Sequence, residues 1–393
     1  MYNFKPNTKE SDKIVITDFK TGVVHNGSSI GKNKNSLASC VNFDFTIDGK
    51  IKRRKSFTLK FNDDGNTAKI YGMGIWNGTP IRYKNSYVQA EYSGVWTNIG
   101  SSLTSASSGL KKQRFIGMDC VETDSNLTTV TLTTGGDYKF VKTSTSMPAN
   151  AYVGNYIYIQ GVYRLIIANT TDTIYIDGNL GVLATSGTCT IHKTIKGLIF
   201  NTSSRLYYID PKGTFINPTT TTITETRSNL GEANIEIYAN RLFHTATSVS
   251  GSDINRIYFS ELGVGNSFYG NNYINIPCKE TIIGLRAFKD RLVIYTYKGN
   301  IYYLYGDTPD NFRLEVAVKL KGCISAESIC EGHNMQFYAS EEGIELLNMI
   351  DNGGVNETIP LSDIIKDEFF EYDLEDALGV VCNSKAYFIM PSK

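Results

Sequence analysis

The chain has 393 residues, 39 Lys and Arg against 39 Asp and Glu, and 25 Tyr, 19 Phe and 35 Gly against only 9 Pro. The length leaves room for more than one core, the neutral balance argues against a tight nucleic-acid binder, and no run of about 18 apolar residues is present to cross a membrane as a helix. Zero net charge conceals an asymmetry: residues 1–60 hold 12 Lys and Arg against 5 Asp and Glu, while residues 325–393 hold 14 Asp and Glu against 3 Lys and Arg.

The opening, MYNFKPNTKESDK, is polar and lacks the apolar stretch of a secretory signal, which predicts synthesis and folding in a cytoplasm. KIVITDFKTG, from Lys13, reads as a strand free to complete a sheet elsewhere. LASCVNFDFTIDGKIKRRKSF follows from Leu37 and carries a basic cluster, Lys50, Lys52, Arg53, Arg54 and Lys55. From Gly78, GTPIRYKNSYVQAEYSGVWTNIG gives two alternating strands around a Lys-Asn-Ser turn. Residues 1–112 are thus expected to hold an N-terminal region and the first radial unit.

From about Gln113 to Ile195 the sequence reads as a module of its own. TTVTLTT, GNYIYIQGVYRLIIAN, TDTIYIDGNLG and TCTIHK are short alternating strands parted by Gly-Gly, Asp-Gly and Ser-Gly turns. Strands of that number suit a small closed barrel, which leaves no sheet edge exposed.

After it a unit recurs: a polar turn, an alternating strand, a glycine or charged turn and an aromatic strand. Its instances are SSRLYYIDPKGTFI, NRLFHTATSVSGSDINRIYFSEL, DRLVIYTYKGNIYYLYGD, NMQFYASEEGIELLNMID and NSKAYFIM. Taking Ser204, Asn240, Asp290, Asn334 and Ser384 as equivalent gives spacings of 36, 50, 44 and 50 residues. Those spacings are those of propeller blades, roughly 40–50 residues of four strands each. The expectation is an all-β protein, a β-propeller either incomplete or closed by the N-terminal strand, with an inserted small β-barrel. Within the last part, 196–393, LSDIIKDEFFEYDLEDAL predicts one helix over about 362–378, N-capped by Ser362, with Phe369, Phe370 and Tyr372 available as a docking surface.

Chemistry-bearing motifs are sparse. The four histidines, His25, His192, His244 and His333, are scattered, and the seven cysteines form no Cys-x-x-Cys pair, so no metal or cofactor is expected. No Gly-x-Ser-x-Gly elbow occurs; GSSIGKNK from Gly27 is one residue short of a phosphate loop, and GVGN at Gly263 has no helix pattern behind it. No enzymatic activity is expected, although a pair of carboxylates for a polysaccharide depolymerase needs no motif a single sequence would display.

The stretch from Asn240 to Met349 resembles a family of bacteriophage tail proteins, the tail nozzle, tail tubular or packaged-DNA stabilisation proteins. The resemblance rests on INRIYFSELG leading into NNYINIP, then ETIIGLRAFKDRLVIYTYKGNIYYLYGD and GCISAESICEGHNMQFYASEEGIELL, with Ser260, Glu261, Leu285, Leu292 and Gly322 to Ser325 at the pattern positions. The opening LASCVNFDFTIDGKIKRRKSF is similar to the family's start but has Lys55-Ser56 where glycine is frequent. The resemblance implies a structural virion protein of the tail or neck, made in the host cytoplasm. It would form a ring with itself, a hexamer, below the portal-adaptor or beside other tail proteins, and would line or close the channel through which viral DNA passes without sequence specificity or any membrane contact. The alternative reading is a receptor- or glycan-binding propeller of a phage tail.

Overall fold

The computed structural model describes residues 70–103, 114–180, 182–202, 205–210, 216, 221–227, 234–245, 255–269, 272–332, 335–347, 358–362, 372–382 and 385–392, together with 43–45, 51–53 and 68. Among these there is no α-helix, only strands and two short 3-10 turns at Pro309–Asn311 and Ala326–Ser328.

Strands β1 (Phe43–Phe45) and β2 (Ile51–Arg53) form a small antiparallel hairpin, Phe43 opposite Arg53. The first four-stranded sheet follows in simple meander order: β3 (Ile70–Trp76), β4 (Thr79–Lys84), β5 (Tyr87–Tyr92) and β6 (Val95–Ile99). The second starts with β7 (Phe115–Val121). The chain then leaves it to build β8 (Thr128–Asp137), β9 (Phe140–Thr143), β10 (Tyr156–Ile159), β11 (Val162–Asn169), β12 (Thr173–Ile176) and β13 (Thr188–His192). It returns to the sheet with β14 (Thr194–Asn201), β15 (Leu206–Asp210) and β16 (Thr222–Arg227). Three more meanders complete the described sheets: β17 (Ile235–Tyr238) to β18 (Arg241–Thr245), β19 (Arg256–Phe259) and β20 (Tyr273–Asn275); β21 (Ile282–Phe288) to β22 (Arg291–Thr296), β23 (Ile301–Tyr305) and β24 (Arg313–Val318); and β25 (Cys330–Gly332) to β26 (Met335–Ser340), β27 (Gly343–Leu347) and β28 (Thr358–Pro360). A last hairpin, β29 (Leu378–Cys382) and β30 (Lys385–Ile389), stands as a two-stranded sheet.

The five four-stranded sheets are blades of a β-propeller, and the side chains show the radial relation. The second to fifth blades are buried on both faces, and the two faces feed different cores. In β22, Leu292 and Ile294 join Phe243, Ile257 and Phe259 of the blade before, while Val293 and Tyr295 join Tyr338 and Leu347 of the blade after. Strand β23 repeats the division, Tyr302 and Leu304 facing back, Ile301 and Tyr303 facing forward. This two-sided burial explains why LVIY, residues 292–295, is an unbroken apolar run where a strand wetted on one face would alternate. Each fully buried side chain of this kind contributes roughly 1.5–3 kcal/mol. Similar cores join the first blade to the second through Tyr83, Phe200 and Tyr207, and the second to the third through Ile199, Tyr208 and Leu242.

The six strands β8 to β13 close into a barrel in the order β10-β11-β12-β9-β8-β13. Here alternation does hold. Val130, Leu132, Val141, Ile157, Ile166, Ile174 and Ile191 fill the interior, while Tyr158, Ile167 and Tyr175 face out. The barrel's own strands thus run from Thr128 to His192, and the flanking β7 and β14 pair with each other in the propeller, Val121 opposite Thr194 and Phe115 opposite Phe200.

Two sequence expectations are corrected. Position 204 falls between the second and third strands of its blade, whereas Asn240 and Asp290 fall between the first and second strands of theirs. The true counterpart of Asn240 and Asp290 in the second blade is the connection between β7 and β14 that the barrel occupies, and a local motif could not reveal this because every hairpin offers the same polar-turn-then-aromatic pattern. The expected helix over 362–378 is not helical where it is described. Tyr372 bridges Ser392, residues 374–376 turn, and Ser362 uses its Oγ to accept a hydrogen bond from the Ile344 N–H at 2.9 Å, not to cap a helix. Residues 363–371, with Phe369 and Phe370, lie outside the described residues.

Candidate functional site

Polar chemistry gathers in two places, along the first strands of successive blades and at the junction of barrel and propeller. In the first, Arg114 at the head of β7 donates to Glu236 Oε2 of β17 at 2.5 Å and to the Ile235 carbonyl at 2.9 Å. Glu236 lies 3.9 Å from Arg286 of β21. Arg286 donates in turn to the Leu285 carbonyl at 2.7 Å and, at 3.4 Å each, to Asn234 Oδ1 and the Ile329 carbonyl. Four consecutive blades are tied by this chain of contacts. Burial first, and the nearby Arg114 charge second, bring the Arg286 guanidinium down to about 10. Burial raises the Glu331 carboxyl of β25 above its usual range, against the smaller downward pull of Gln336 and Arg286.

The second cluster fixes the barrel on the third blade. Arg164 of β11 pairs with Glu261, just past β19, at 2.6 Å, and both side chains are largely buried, 13% and 8% exposed. Glu261 also accepts from Asn272 Nδ2 at 3.0 Å. Tyr156 of β10 donates to the Leu262 carbonyl at 2.6 Å, and Asn266 makes a reciprocal pair of 2.8 Å bonds with the backbone of Val121. Val121, Tyr156 and Val264 pack beneath these bonds. Arg241, whose guanidinium is lowered chiefly by burial and held up by Glu261 and Asp177, donates to the Ser260 carbonyl at 2.8 Å. The loop 260–266 is therefore a socket, and the barrel wall its plug.

Two clefts flank this junction. One, of about 340 Å³, is lined by Trp76, Asp119, Lys196, Ile237 and Asn240, with the Lys196–Asp119 ion pair (2.5 Å) on its wall. The other, of about 380 Å³, runs between barrel and third blade beside Gln160, Val162, Arg164, Val182 and Tyr269. Among the described residues no group of three or more His, Cys, Asp or Glu is placed to hold a metal ion. Of the histidines, His244 is fully buried, stacks on Tyr258 and bonds the Thr245 carbonyl, and His192 bonds the carbonyls of Glu122 and Ser125; both are packed into the scaffold. Burial holds the thiols of Cys120 and Cys323 well above the ordinary range, Cys323 at about 12.

Most of the sequence-proposed interaction residues cannot be placed. Lys50, Arg54, Lys55, Phe369 and Phe370 lie outside the described residues; Lys52 and Arg53 sit on β2, and Tyr372 lies far along the chain beside Ser392. Residues of the resembled pattern prove to be packing and anchoring groups. Ser260 is buried and accepts the Leu242 N–H at 2.8 Å, Leu285 and Leu292 are fully buried, Ser325 Oγ donates to the Ala377 carbonyl at 2.8 Å, and Glu261 holds the barrel. The Ser-Glu step after β19 was the one signal available for the socket, and it gave no hint that its partner lies 97 residues earlier.

No family model matches the chain, and no curated protein does. Similar solved structures include the phage phi92 endosialidase, 11% identical over 83% of this chain and 58% of that one, TM-score 0.29. They also include Kluyveromyces lactis Hsv2, 9% identical over 83% and 91%, TM-score 0.32, and YCF48 from Cyanidioschyzon merolae, 9% identical over 84% and 94%, TM-score 0.33. The chain thus spans little more than half the length of the phage endosialidase. Likenesses at this level carry no inference about what this chain does.

Proposed function

We propose that this protein is rigid building material of a bacteriophage tail or neck, a subunit that assembles into a sixfold ring below the portal-adaptor and surrounds the DNA exit channel without catalysing a reaction. The observation that supports it is the use made of the buried charges. Arg114, Glu236 and Arg286 link blade to blade, and Arg164 and Glu261 lock the barrel to the third blade, so charge is spent on stiffness. A conduit under internal pressure needs such a body, and the sequence resemblance over Asn240 to Met349 supplies the tail assignment. The basic residues Lys50, Lys52, Arg53, Arg54 and Lys55 would face DNA or an acidic neighbour, and overall neutrality lets DNA slide, since each neutralised phosphate adds salt-sensitive affinity.

Electron microscopy of the purified protein, alone and mixed with its portal-adaptor complex, tests this reading: sixfold rings or a decorated portal are expected, and a monomer that never engages the complex overturns it. The Trp76-lined cleft favours a second reading, a glycan-binding propeller, because an indole beside an ion pair is a surface suited to a sugar. Saturable binding on a glycan array, lost in Trp76→Ala, would decide for it.

A further inference from the structure

The propeller is unfinished at one seam. Among the described residues five blades have four strands each, and β29 and β30 follow the fifth as a two-stranded sheet. Strand β29 lies beside β25 as β21 lies beside β17, which makes it the first strand of a sixth blade. Ala377 and Phe388 join the core of the fifth blade, so the hairpin is docked as that blade's neighbour. Strand β30 has no further strand on its outer edge among the described residues, and an edge strand directs every second N–H and C=O outward.

The faces on either side of the seam are apolar. In β29, Gly379 and Val381 point at the fifth blade, because a Cβ on Gly379 would meet the Ser328 carbonyl and Cys330, and one on Gly332 would meet Val381. Val380 therefore points the other way and is 45% exposed, with Ile389, paired to Leu378 on the same face, 64% exposed. Across the seam, Gly74 and Trp76 of β3 meet Phe115 and Gly117 of the second blade, so Met73 and Ile75 point away from it, 56% and 71% exposed. A sheet completed here would cover both sets.

We infer that hairpin β1–β2, a two-stranded sheet of its own in this structure, docks in the same molecule on the outer edge of β30 as the third and fourth strands of the sixth blade and closes the ring. The strand count matches, two of four at one end and two at the other. Reach is no obstacle: the 16 residues between Arg53 and Ile70 span up to about 50 Å when extended, and the sixth blade adjoins the first in a closed ring. Charge agrees as well, since the hairpin belongs to the basic N-terminal region and residues 325–393 carry 14 Asp and Glu against 3 Lys and Arg. The segment that the sequence offered for closure, KIVITDFKTG, lies outside the described residues, and its pattern reads as one strand where β30 leaves two outer positions.

Hydrogen exchange and cross-linking on the full chain test the assignment. The alternate amides of 386–389 that face away from β29 should exchange at least about tenfold more slowly than those of an unpaired edge, and Lys52→Pro, which removes a ladder donor and breaks β2, should release them by a similar factor while leaving 128–192 unchanged. An amine-reactive cross-linker on the wild-type monomer should join Lys52 or its neighbours to Lys385, which keeps the test decisive even if the proline variant fails to fold. Fast exchange of 386–389 in the wild type, absence of that cross-link in the monomer, or protection that appears only in dimers, where a second copy fills the edge, would each overturn it.

Discussion

The barrel and the propeller solve one problem in opposite ways. In the barrel the last strand hydrogen-bonds to an earlier one, β13 to both β8 and β10, so closure is written into a single sheet of 65 residues, Thr128 to His192. The propeller joins its blades by side-chain packing between separate sheets, so no hydrogen-bonded strand order fixes where its ring would close. A closed sheet is stable as a unit, whereas a ring of blades is as strong as its weakest interface. The junction between the two, held by Arg164 and Glu261, decides whether they behave as one body.

The strongest way to break the comparison is to destroy one region alone. Ile174→Asp places a carboxylate in the dry barrel interior and should cost more than about 4 kcal/mol there, while the propeller amides of 282–305 keep their protection in hydrogen exchange. Concerted loss of both would show a single cooperative unit. Next, Glu261→Gln leaves Arg164 buried without its counter-charge and next to Arg241; about 3–5 kcal/mol of docking should be lost, read as faster exchange in 156–165 and 261–269 together. Gly322→Ala comes third: its Cβ would lie 2.4 Å from the Gly299 nitrogen and 2.5 Å from the Thr296 carbonyl oxygen, both backbone. About 1–3 kcal/mol should therefore be lost in the propeller and none in the barrel, by denaturant titration with region-specific probes.

A pH series sharpens the comparison with a smaller effect. Burial lifts the folded thiol pKa to about 12 for Cys323 in the propeller and about 11 for Cys189 in the barrel, from an ordinary 9.0. A folded value above the unfolded one means the contribution is intact below pH 9 and is lost as pH climbs, through 11 for Cys189 and through 12 for Cys323. Urea midpoints should therefore fall above pH 9, and Cys323→Ala should flatten the propeller's decline only. Smallest of all, Tyr158→Ala removes a surface ring pair with Tyr163 at 4.8 Å and should cost about 0.5–1 kcal/mol, confined to the barrel's thermal transition.

Much of this was legible in residues taken singly or in pairs. YIYIQGVYRLIIAN announces a hairpin because period-two alternation and an αL turn are local facts, and Gln160 and Gly161 do sit at positive φ, 53° and 82°. The repeat at Asn240 and Asp290 was legible for the same reason. The phase of the repeat in the second blade was not, because the barrel replaces the very turn that would have marked it. The candidate site was less legible still. Arg164 and Glu261 are 97 residues apart and Arg114 and Glu236 are 122 apart, and nothing local tells a charge that will be buried from one that will stay wet.

The sequence alone determined an all-β chain, blades near 45 residues and an inserted module of short strands, because hydrophobic periodicity and turn chemistry act over a few residues at a time. Only the tertiary structure decided that the barrel springs from the first hairpin of the second blade, that Glu261 is its socket, and that β29 docks beside the fifth blade as the start of another. Those outcomes depend on which surfaces meet once the strands exist, and burial and charge pairing are properties of that meeting.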